Sequence, residues 1–518
     1  MDFTQIASAW LTKFSHSLEQ QDAASCASLF HSHGWLRDYL NANIKSTTIS
    51  GLEVTSDGSF KPSPGEMPES GIFLVLRFST AIASGRGIFT VEGRLRFFIS
   101  LDSLKGHEPR GPEEGVYHGT ATYWSEVREE RRRTIEGEPV VGAGQNGLQV
   151  AARFKQMGIP TLVIEKNERI GDHWRRRYPC LTLHTPKLHH SLLYQPYPDT
   201  WPRFTPRDKV ADWLEQYAIS QDIVVWTKSQ PLPVPSYDSE TKRWTVSIDR
   251  NGKSVTIHPK HIVLATDVFK GQIFHSESYS GGPQFAGKRV VIVGTGNSGA
   301  DIALDLHMRE AQAVTILQRS TTVVQSANTL VEMLDHLWDP NLPVEVGDYR
   351  NVATPYRLLK EILISRKDHF WDKDRDILDG LAKAGMNVNI DGGGILTLVH
   401  ERLGGMDIGT AEHVASGKIK VKSEVNAVIL SDGSVLEADV VLFATGYRHM
   451  QSIMRRIFGE TIDQAGPAGG MDEEGEMRGA YKPTGHPGLW YALGDFSELA
   501  FWVQAIQLQA LELGYTKM

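Results

Sequence analysis

A glycine-rich hexapeptide is the first segment whose residue types and spacing could support chemistry. It reads Gly142-Ala143-Gly144-Gln145-Asn146-Gly147, and it is followed by a helical run and then by a strand that ends at Glu165. Such glycines allow a tight turn and a close approach of the backbone to a pyrophosphate, whose charge the helix N-terminus favours. Glu165 comes 18 residues after Gly147, where an acid can bind ribose hydroxyls. Three glycines alone would indicate only a turn, but this context predicts a dinucleotide site.

A second hexapeptide, Gly294-Thr295-Gly296-Asn297-Ser298-Gly299, also lies between a strand and a helix. No acid ends the next strand, which continues into Gln318-Arg319-Ser320. A guanidinium can hold the 2′-phosphate that a carboxylate would repel. We therefore predict NADPH at this site; the alternative is that Arg319 is an ordinary surface arginine. Sites of these two kinds predict FAD at the first and NADPH at the second, and hence hydride transfer to a flavin.

Several further segments carry a resemblance to a known family. Residues 269–279, Phe-Lys-Gly-Gln-Ile-Phe-His-Ser-Glu-Ser-Tyr, fit the pattern FxGxxxHxxxY at every defined position. From about residue 137 to 518 the chain thereby resembles the flavin-containing monooxygenases. Gly171-Asp172-His173-Trp174 resembles their GGxW-type flavin segment, and Phe443-Ala444-Thr445-Gly446-Tyr447 resembles their ATGY element. Residues 181–187, Leu-Thr-Leu-His-Thr-Pro-Lys, resemble the stretch that follows the flavin segment in plant YUCCA-type members.

The resemblance implies that NADPH reduces FAD, that the reduced flavin reacts with O2, and that a flavin (hydro)peroxide transfers one oxygen atom to a small organic substrate. His184 stands where the family places a side chain near the flavin ring, and a hydrogen-bonded structural histidine is the alternative. His275 is expected to link the two nucleotide domains, and Gly494-Asp495 to reach the ribityl chain or phosphate of FAD. The predicted catalytic residues are His184, Asn297 and His275. The predicted cofactor-binding residues are Gly142, Gly144, Gln145, Asn146, Gly147, Glu165, Lys166, Trp174, Arg175, His184, Gly294, Gly296, Asn297, Ser298, Gly299, Arg319, Ser320, Thr445, Gly446, Gly494 and Asp495.

Other enzyme classes fit less well. A pyridine-nucleotide disulfide reductase needs a redox-active cysteine pair, but Cys26 and Cys180 are 154 residues apart. Baeyer–Villiger members of the resembled family end their motif with Trp, whereas this chain has Tyr279-Ser280, so oxidation at nitrogen, at sulfur or of an α-keto acid is favoured. The histidines at 184, 189 and 190 match no metal-ligand spacing, so no metal is predicted.

The elements around these motifs indicate an α/β chain with two Rossmann-like dinucleotide-binding domains, preceded by a small α+β domain. Residues 1–124 form that domain, with a first helix whose apolar residues run from Phe3 to Leu18 and a hairpin that turns at Ser84–Gly87. It resembles the SnoaL-like cone-fold domain, for which we expect a non-catalytic role and which could support a homodimer. A charged linker helix over 125–136 follows. Beyond it we predict an FAD-binding domain in two stretches, 137–280 and 421–518. These flank an NADPH-binding domain over 281–420, which contains a helix-rich insertion.

Two positions depart from the expected pattern. The first Rossmann strand has at most three residues before Gly142 and contains Pro139, which cannot donate to a central sheet ladder. Asp267 stands where the family prefers glycine. These departures motivate the alternative of a catalytically impaired or non-catalytic nucleotide-binding homologue.

Composition excludes several other classes. The 54 Lys and Arg against 62 Asp and Glu give a net charge of −8, which disfavours nucleic-acid binding. No stretch reaches the roughly 18 apolar residues of a membrane span. Leu499–Leu513, interrupted by polar residues, is typical of an amphipathic helix. Two distant cysteines and a first segment without a signal-peptide pattern indicate a cytoplasmic protein.

Overall fold

The computed structural model describes most of the chain in segments. His275, Gly494 and Asp495 of the predicted site lie outside them, as do Asp267 and all of the predicted C-terminal helix except residue 508. The described residues are 3–20, 22–29, 35–38, 50–55, 63–65, 71–91, 96–111, 122–135, 138–265, 276–335, 337–354, 356–389, 405–407, 409–423, 437–446, 450–468, 472–473, 478–479, 483–492 and 508.

The N-terminal region combines two helices with a six-stranded sheet. The predicted first helix is confirmed and buries Leu11 and Phe14. The sheet order is β1-β6-β5-β4-β2, with β3 beside β4; β1 and β6 are parallel and the other pairs are antiparallel. The elements are α1 (Phe3–Glu19), α2 (Ala23–Ser28), β1 (Trp35–Asp38), β2 (Ser50–Val54), β3 (Ser63–Gly65), β4 (Gly71–Ser79), β5 (Ala83–Val91) and β6 (Arg96–Leu104).

The predicted turn at Ser84–Gly87 is wrong. Those residues lie within β5, and the hairpin turns instead just before it, where the Thr80 hydroxyl accepts hydrogen bonds from the Ile82 and Ala83 N–H groups. A threonine side chain that binds the backbone two and three residues later supplies the turn without glycine. The register of β5 against β6 shifts between Ser84 and Gly85, so the glycines mark an irregularity in the strand.

A helix and the elements of the first nucleotide-binding half follow. The expected charged linker is helical, α3 (Trp124–Thr134). Beyond it come β7 (Glu138–Val141), α4 (Gln145–Gln156), β8 (Thr161–Ile164), α5 (Asp172–Arg175), a 3₁₀ turn (Lys187–His190), α6 (Arg207–Ser220), β9 (Val225–Trp226), β10 (Ser229–Pro231), β11 (Ser236–Asp238), β12 (Arg243–Arg250), β13 (Lys253–Ile257) and β14 (Ile262–Leu264).

The remainder holds the second half and the helix-rich insertion, which is confirmed as helical. Its elements are 3₁₀ turns (Ser276–Ser278, Gly282–Phe285), β15 (Arg289–Val293), α7 (Asn297–Met308), β16 (Ala313–Gln318), β17 (Val324–Ser326), α8 (Ala327–Asp335), α9 (Val344–Ala353), α10 (Tyr356–Ser365), α11 (Lys367–Lys383), β18 (Gly405–Asp407), α12 (Thr410–Ala415), β19 (Lys420–Ser423), β20 (Val440–Phe443), α13 (Met450–Phe458), a 3₁₀ turn (Gly459–Gln464) and β21 (Leu489–Tyr491).

Two parallel sheets organise the nucleotide-binding halves. The first has the order β21-β14-β7-β8-β9 and the second β19-β16-β15-β20, with every pair parallel. In both, the strand before the glycine-rich hexapeptide is central, and the chain winds away from it in both directions. Ligands of such folds bind at this switch point, beyond the carboxyl ends of the strands. The predicted pair of doubly wound α/β halves is confirmed. An antiparallel sheet (β10-β12-β11, with β13 on β12) and the parallel pair β17–β18 complete the described sheets.

The first Rossmann strand is paired on both sides despite Pro139. β7 has four residues and pairs with both β8 and β14. The Val141 carbonyl accepts from Ala265 on the β14 side, so by alternation position 139 also faces β14. The β14 ladder begins only at Val140, paired with Val263. The nitrogen of Pro139 therefore points away from β8, and the sheet forms on both sides of β7 without an N–H at this position.

A half-buried polar cluster joins the N-terminal sheet to the rest of the chain. Asp102 of β6 accepts from Arg86 Nε at 2.9 Å and from the Tyr349 hydroxyl of α9 at 3.2 Å. Arg86 also pairs with Glu345 at 2.9 Å, and its guanidinium lies 4.8 Å from the centre of the Tyr349 ring. The insertion is thus held to the N-terminal sheet by charged hydrogen bonds.

Among the described helices, none has the length and apolar character needed to cross a bilayer.

Candidate active site

The first glycine-rich loop has a backbone that excludes side chains. Gly142 has φ +111° and donates its N–H to the Ile164 carbonyl. A Cβ on Gly147 would lie 1.9 Å from the Gly142 carbonyl oxygen, so the helix can approach the loop only with glycine there. Helix α4 starts after Gly144 with no side chain capping it, which leaves N–H groups of its first turn for a phosphate. This helix includes the predicted ligands Gln145 and Asn146.

The second loop repeats this geometry in the other half. Gly294 has φ +117°, and a Cβ on Gly299 would lie 2.2 Å from the Gly294 carbonyl oxygen. Helix α7 begins at Asn297, after Gly296, again without a side-chain cap. The turn containing the predicted ligands Thr445 and Gly446 follows β20, and its Ala444 carbonyl would lie 2.3 Å from a Cβ on Gly294. Both loops are therefore shaped to bring backbone, rather than side chains, against a phosphate.

The residues that follow β8 and β16, the strands that come after the two glycine-rich loops and their helices, differ as the sequence indicated. Glu165 is buried; its two carboxylate oxygens accept the N–H groups of Ala143 and Asn167, which fixes the acid beside the glycine loop. Arg319 and Ser320 follow β16 and are exposed, and no hydrogen bond or ion pair of Arg319 occurs within the described segments. The Arg319 guanidinium is thus available to an anion.

The GGxW-like segment is tied down by charge pairs. Gly171 has φ +86°, and a Cβ there would lie 2.4 Å from the Ala211 carbonyl. Arg175, a predicted cofactor ligand, instead pairs with Asp172, Asp212 and Glu215 at 2.8–3.1 Å. Three carboxylates hold this guanidinium against α6, so the structure supports an anchoring role for it.

Two other side chains of this segment have buried nitrogens without a hydrogen-bond partner among the described residues. Trp174 is 5% exposed, the Arg177 guanidinium lies 4.5 Å from its ring centre, and its Nε1 has no hydrogen-bond partner among the described residues. His173 Nε2 is inaccessible to water, is likewise without a partner there, and lies 3.6 Å from where a Cβ on Gly144 would be. Burial and the nearby Arg177 lower the pKa of His173 to about 3, so the ring is neutral at pH 7. Lys166 is exposed at the edge of this region.

His184 lies in a buried junction between the two halves. Its Nε2 is 3.0 and 3.1 Å from the two carboxylate oxygens of Asp301, which belongs to α7 of the second nucleotide-binding half. The Tyr178 hydroxyl donates to Asp301 at 2.8 Å and also hydrogen-bonds Ser298 of the second glycine-rich loop. His184 Nδ1 is buried and has no partner among the described residues. The predicted residues His184 and Ser298 are therefore brought together through two residues that the sequence analysis did not identify.

Cys180 borders the same junction, with Sγ 3.8 Å from the Asp301 carbonyl oxygen. Burial, with Asp305 and Asp301 nearby, raises the pKa of its thiol to about 12. A thiol that stays protonated is a poor redox nucleophile, which argues against the disulfide reductase alternative.

The end of the FxGxxxHxxxY-like segment contacts α7 one turn further on. Tyr279 donates its hydroxyl to Asp305 at 2.6 Å, and the Gly282 N–H donates to the same carboxylate at 2.8 Å. The Tyr279 ring stacks on Phe285. A usable sequence signal existed, because Asn297, Asp301 and Asp305 are four residues apart and so share one face of a helix that must pack inside the protein.

The remaining histidines near His184 have separate partners. His190 is buried and hydrogen-bonds the Thr185 hydroxyl, and its pKa lies well below the usual value because of burial and the adjacent His189. The His189 ring packs edge-on against Trp338 of the insertion. The described segments contain no group of three or more acidic, histidine or cysteine side chains suited to a metal ion.

These features fit the two nucleotides. Two helix N-termini lack side-chain caps, two loops accept only glycine at their closest approaches, and one acid and one arginine stand beside the respective loops. Buried nitrogens of His173, Trp174 and His184 without partners in the described segments lie around them. Unsatisfied buried polar atoms are costly, and a bound cofactor would satisfy them.

Comparison with known proteins supports this interpretation of the site. Residues 138–457 match the family described as flavin-binding monooxygenase-like. Indole-3-pyruvate monooxygenase YUCCA1 of Oryza sativa subsp. japonica is 29% identical over 342 residues, which cover 62% of this chain and 79% of that protein. Probable indole-3-pyruvate monooxygenase YUCCA3 of Arabidopsis thaliana is 30% identical over 358 residues, 62% of this chain and 76% of that protein.

Two solved structures share the fold of this chain. The OTEMO complex with FAD and NADP aligns with a TM-score of 0.51 at 16% identity, covering 74% of this chain and 85% of that one. Open cyclohexanone monooxygenase aligns with a TM-score of 0.50 at 16% identity, covering 73% and 87%. The chain belongs to the flavin-binding monooxygenase-like family, and the prediction of an FAD- and NADPH-dependent monooxygenase is confirmed.

Proposed function

We propose that this monooxygenase transfers one oxygen atom from O2 to a small organic molecule at nitrogen, at sulfur or on an α-keto acid, and that the reaction takes place at the junction around His184. The observation that carries the proposal is the contact of His184 with Asp301, because it joins the flavin half to the helix behind the second glycine-rich loop. Bound FAD supplies hydride acceptance from NADPH and activation of O2.

The protein's own residues bind and orient the two nucleotides. The first turns of α4 and α7 present N–H groups to the pyrophosphates, and Glu165 accepts ribose hydroxyls with the lone pairs that its backbone contacts leave over. Arg319 holds the 2′-phosphate of NADPH. His184 offers Nδ1 as a hydrogen-bonding atom inside a junction from which water is excluded. Asn297, at the start of α7, precedes Asp301 by one helical turn.

An α-keto acid is the first substrate class to test. The YUCCA relatives are named for indole-3-pyruvate, which is such an acid. Tyr279 supports a lower rank for ketone-to-ester oxidation, because its hydroxyl is committed to Asp305 where the Baeyer–Villiger motif has a tryptophan.

The N-terminal region serves a non-catalytic, supporting role in this proposal. Its cluster of Arg86 and Asp102 contacts the insertion through Glu345 and Tyr349. We further propose the SnoaL-like cone fold for it, the domain limits given above for the whole chain, and a cytoplasmic enzyme in which this region could mediate a homodimer.

The visible spectrum of the purified protein tests the proposal. We expect a flavin band near ~450 nm that NADPH bleaches without air and that returns on aeration. A panel of an α-keto acid, an amine, a thioether and a ketone then compares NADPH consumption with oxygenated product. A colourless protein that FAD cannot reconstitute would instead favour the non-catalytic alternative.

A further inference from the structure

The junction around His184 contains the carboxylate of Asp301, a residue that belongs neither to the glycine-rich loops nor to the other sequence motifs. Asp301 is 3% exposed, and its neighbour His184 is 8% exposed. Because an ionised carboxylate has only acceptor sites, the hydrogen between it and the imidazole resides on His184 Nε2. The two distances of 3.0 and 3.1 Å make this a hydrogen bond shared between both carboxylate oxygens.

A second donor orients the carboxylate. The Tyr178 hydroxyl gives its hydrogen to Asp301 Oδ2 at 2.8 Å, so two donors converge on one buried group. Burial and the Asp301 charge raise the pKa of Tyr178, which keeps it a donor. Two convergent donors leave Asp301, and therefore the His184 ring, little rotational freedom.

With Nε2 committed to Asp301, Nδ1 is the ring nitrogen left for another partner. It is buried, and no described residue hydrogen-bonds it. Asp301 lies one helical turn after Asn297, on the helix that begins at the second glycine-rich loop. A residue of the NADPH half thus sets which nitrogen of a flavin-half histidine is presented at the junction.

We propose that Asp301 is a positioning residue for the monooxygenase reaction, which fixes the tautomer and orientation of His184 so that Nδ1 meets the bound nucleotides. The inference rests on the proposed location of the reaction at His184. Asp301 acts through the histidine that it holds, as the third group orients the base in other catalytic arrangements.

The same helix provides a matched control. Asp305 lies one turn further along α7 and also accepts a tyrosine hydroxyl, from Tyr279, together with the Gly282 N–H. None of its hydrogen bonds in the described segments involves His184. An effect that arises merely from removing an acid from this helix would therefore be the same at Asp301 and Asp305.

The test uses holoprotein carrying Asp301→Asn, Asp305→Asn, His184→Ala, or His184→Ala with Asp301→Asn. Two quantities are measured: the dissociation constant of NADP⁺, from its effect on the flavin spectrum, and the rate constant of anaerobic flavin reduction by NADPH. We expect Asp301→Asn to worsen at least one of them roughly tenfold or more, the scale of a lost charge-assisted hydrogen bond. Asp305→Asn should stay within about twofold, and the double variant should be no worse than His184→Ala, because the effects of linked residues do not add.

The outcomes separate the two proposals. If His184→Ala leaves both quantities unchanged, the proposed role of His184 fails. If His184→Ala impairs them but Asp301→Asn does not, or if Asp305→Asn causes an equal loss, or if the losses add in the double variant, the positioning role is overturned and that of His184 stands. Thermal unfolding checks that each variant folds. Should Asp301→Asn fail this check, Asp301→Glu, which keeps the charge but displaces it, is expected to give the same direction of change.

Discussion

Glu165 and Gln318 occupy the same position in the two parallel sheets. Each directly follows the residue whose carbonyl accepts the N–H of the first loop glycine: Ile164 accepts from Gly142 at 2.9 Å, and Leu317 accepts from Gly294 at 3.0 Å. Where Glu165 binds the loop backbone, the Gln318 amide binds the Thr322 hydroxyl and the backbone of Asn387. The second nucleotide-binding half thus has no carboxylate at this position, and its charged side chain, Arg319, comes one residue later.

Replacing Arg319 is expected to weaken NADPH selectively. Arg319→Ala removes the guanidinium proposed to hold the 2′-phosphate, so KM for NADPH should rise roughly tenfold or more while KM for NADH stays nearly constant. Steady-state oxidation of both cofactors measures this. Arg132→Ala is the control, because Arg132 is an exposed arginine of α3 outside both glycine-rich loops. An equal change with NADH would contradict the assignment.

The third glycines of the two loops should have separable effects. Gly147→Ala places a methyl group 1.9 Å from the Gly142 carbonyl and should abolish or strongly reduce bound flavin. Gly299→Ala, with its methyl 2.2 Å from the Gly294 carbonyl, should retain flavin but bind NADP⁺ at least tenfold more weakly. Flavin content per chain and NADP⁺ titration measure the two effects. Gly111→Ala is the control, since nothing lies within 4 Å of its Cβ; flavin loss in Gly299→Ala as well would argue against independent loops.

The polar cluster at Asp102 should contribute to stability. Asp102→Asn weakens the pairing with buried Arg86 and is expected to cost about 1–3 kcal/mol, less than a fully broken buried pair because Glu345 still faces the guanidinium. Tyr349→Phe should cost about 1 kcal/mol. Differential scanning calorimetry records both as lower melting temperatures. The exposed pair Glu130–Arg133 provides the comparison, where removal of one partner should change little. A melting temperature for Asp102→Asn equal to that of the parent would rule out the stabilising contact.

His173 should make the nucleotide-free protein less stable in acid. Its pKa is about 3 when folded, against about 6.5 when unfolded, so the unfolded chain takes up the proton first. The contribution of the neutral ring is complete above pH 6.5 and falls by up to about 1.4 kcal/mol per pH unit as pH drops towards 3. Melting temperatures at pH 7.5 and 5.5 should therefore fall more for the parent than for His173→Gln. His369→Gln, at an exposed position of α11, should follow the parent; the same pH response in His173→Gln would refute the prediction.

Local sequence patterns were sufficient to predict the two nucleotide-binding halves. The glycine spacing and the strand and helix on either side of each hexapeptide are short-range features, because a tight turn onto a helix N-terminus is set by consecutive residues. Glu165 and Arg319 could be predicted as ligands for the same reason, since each directly follows a recognisable strand. The family resemblance was likewise legible, because FxGxxxHxxxY and its companion segments are contiguous.

Only the tertiary structure decided how distant segments meet. The hydrogen bonds of Asp301 with His184 and with Tyr178 join positions more than a hundred residues apart, and nothing local to any of them specifies the partner. Which neighbouring strand faces the nitrogen of Pro139 depended on the sheet order, and the anchoring of Arg175 depended on the acids of α6. Hydrogen bonds and ion pairs between separate elements follow from sheet order and helix packing, and these are settled by burial of the whole core. The sequence thus determined which chemistry the chain carries, and the fold decided which side chains share its site.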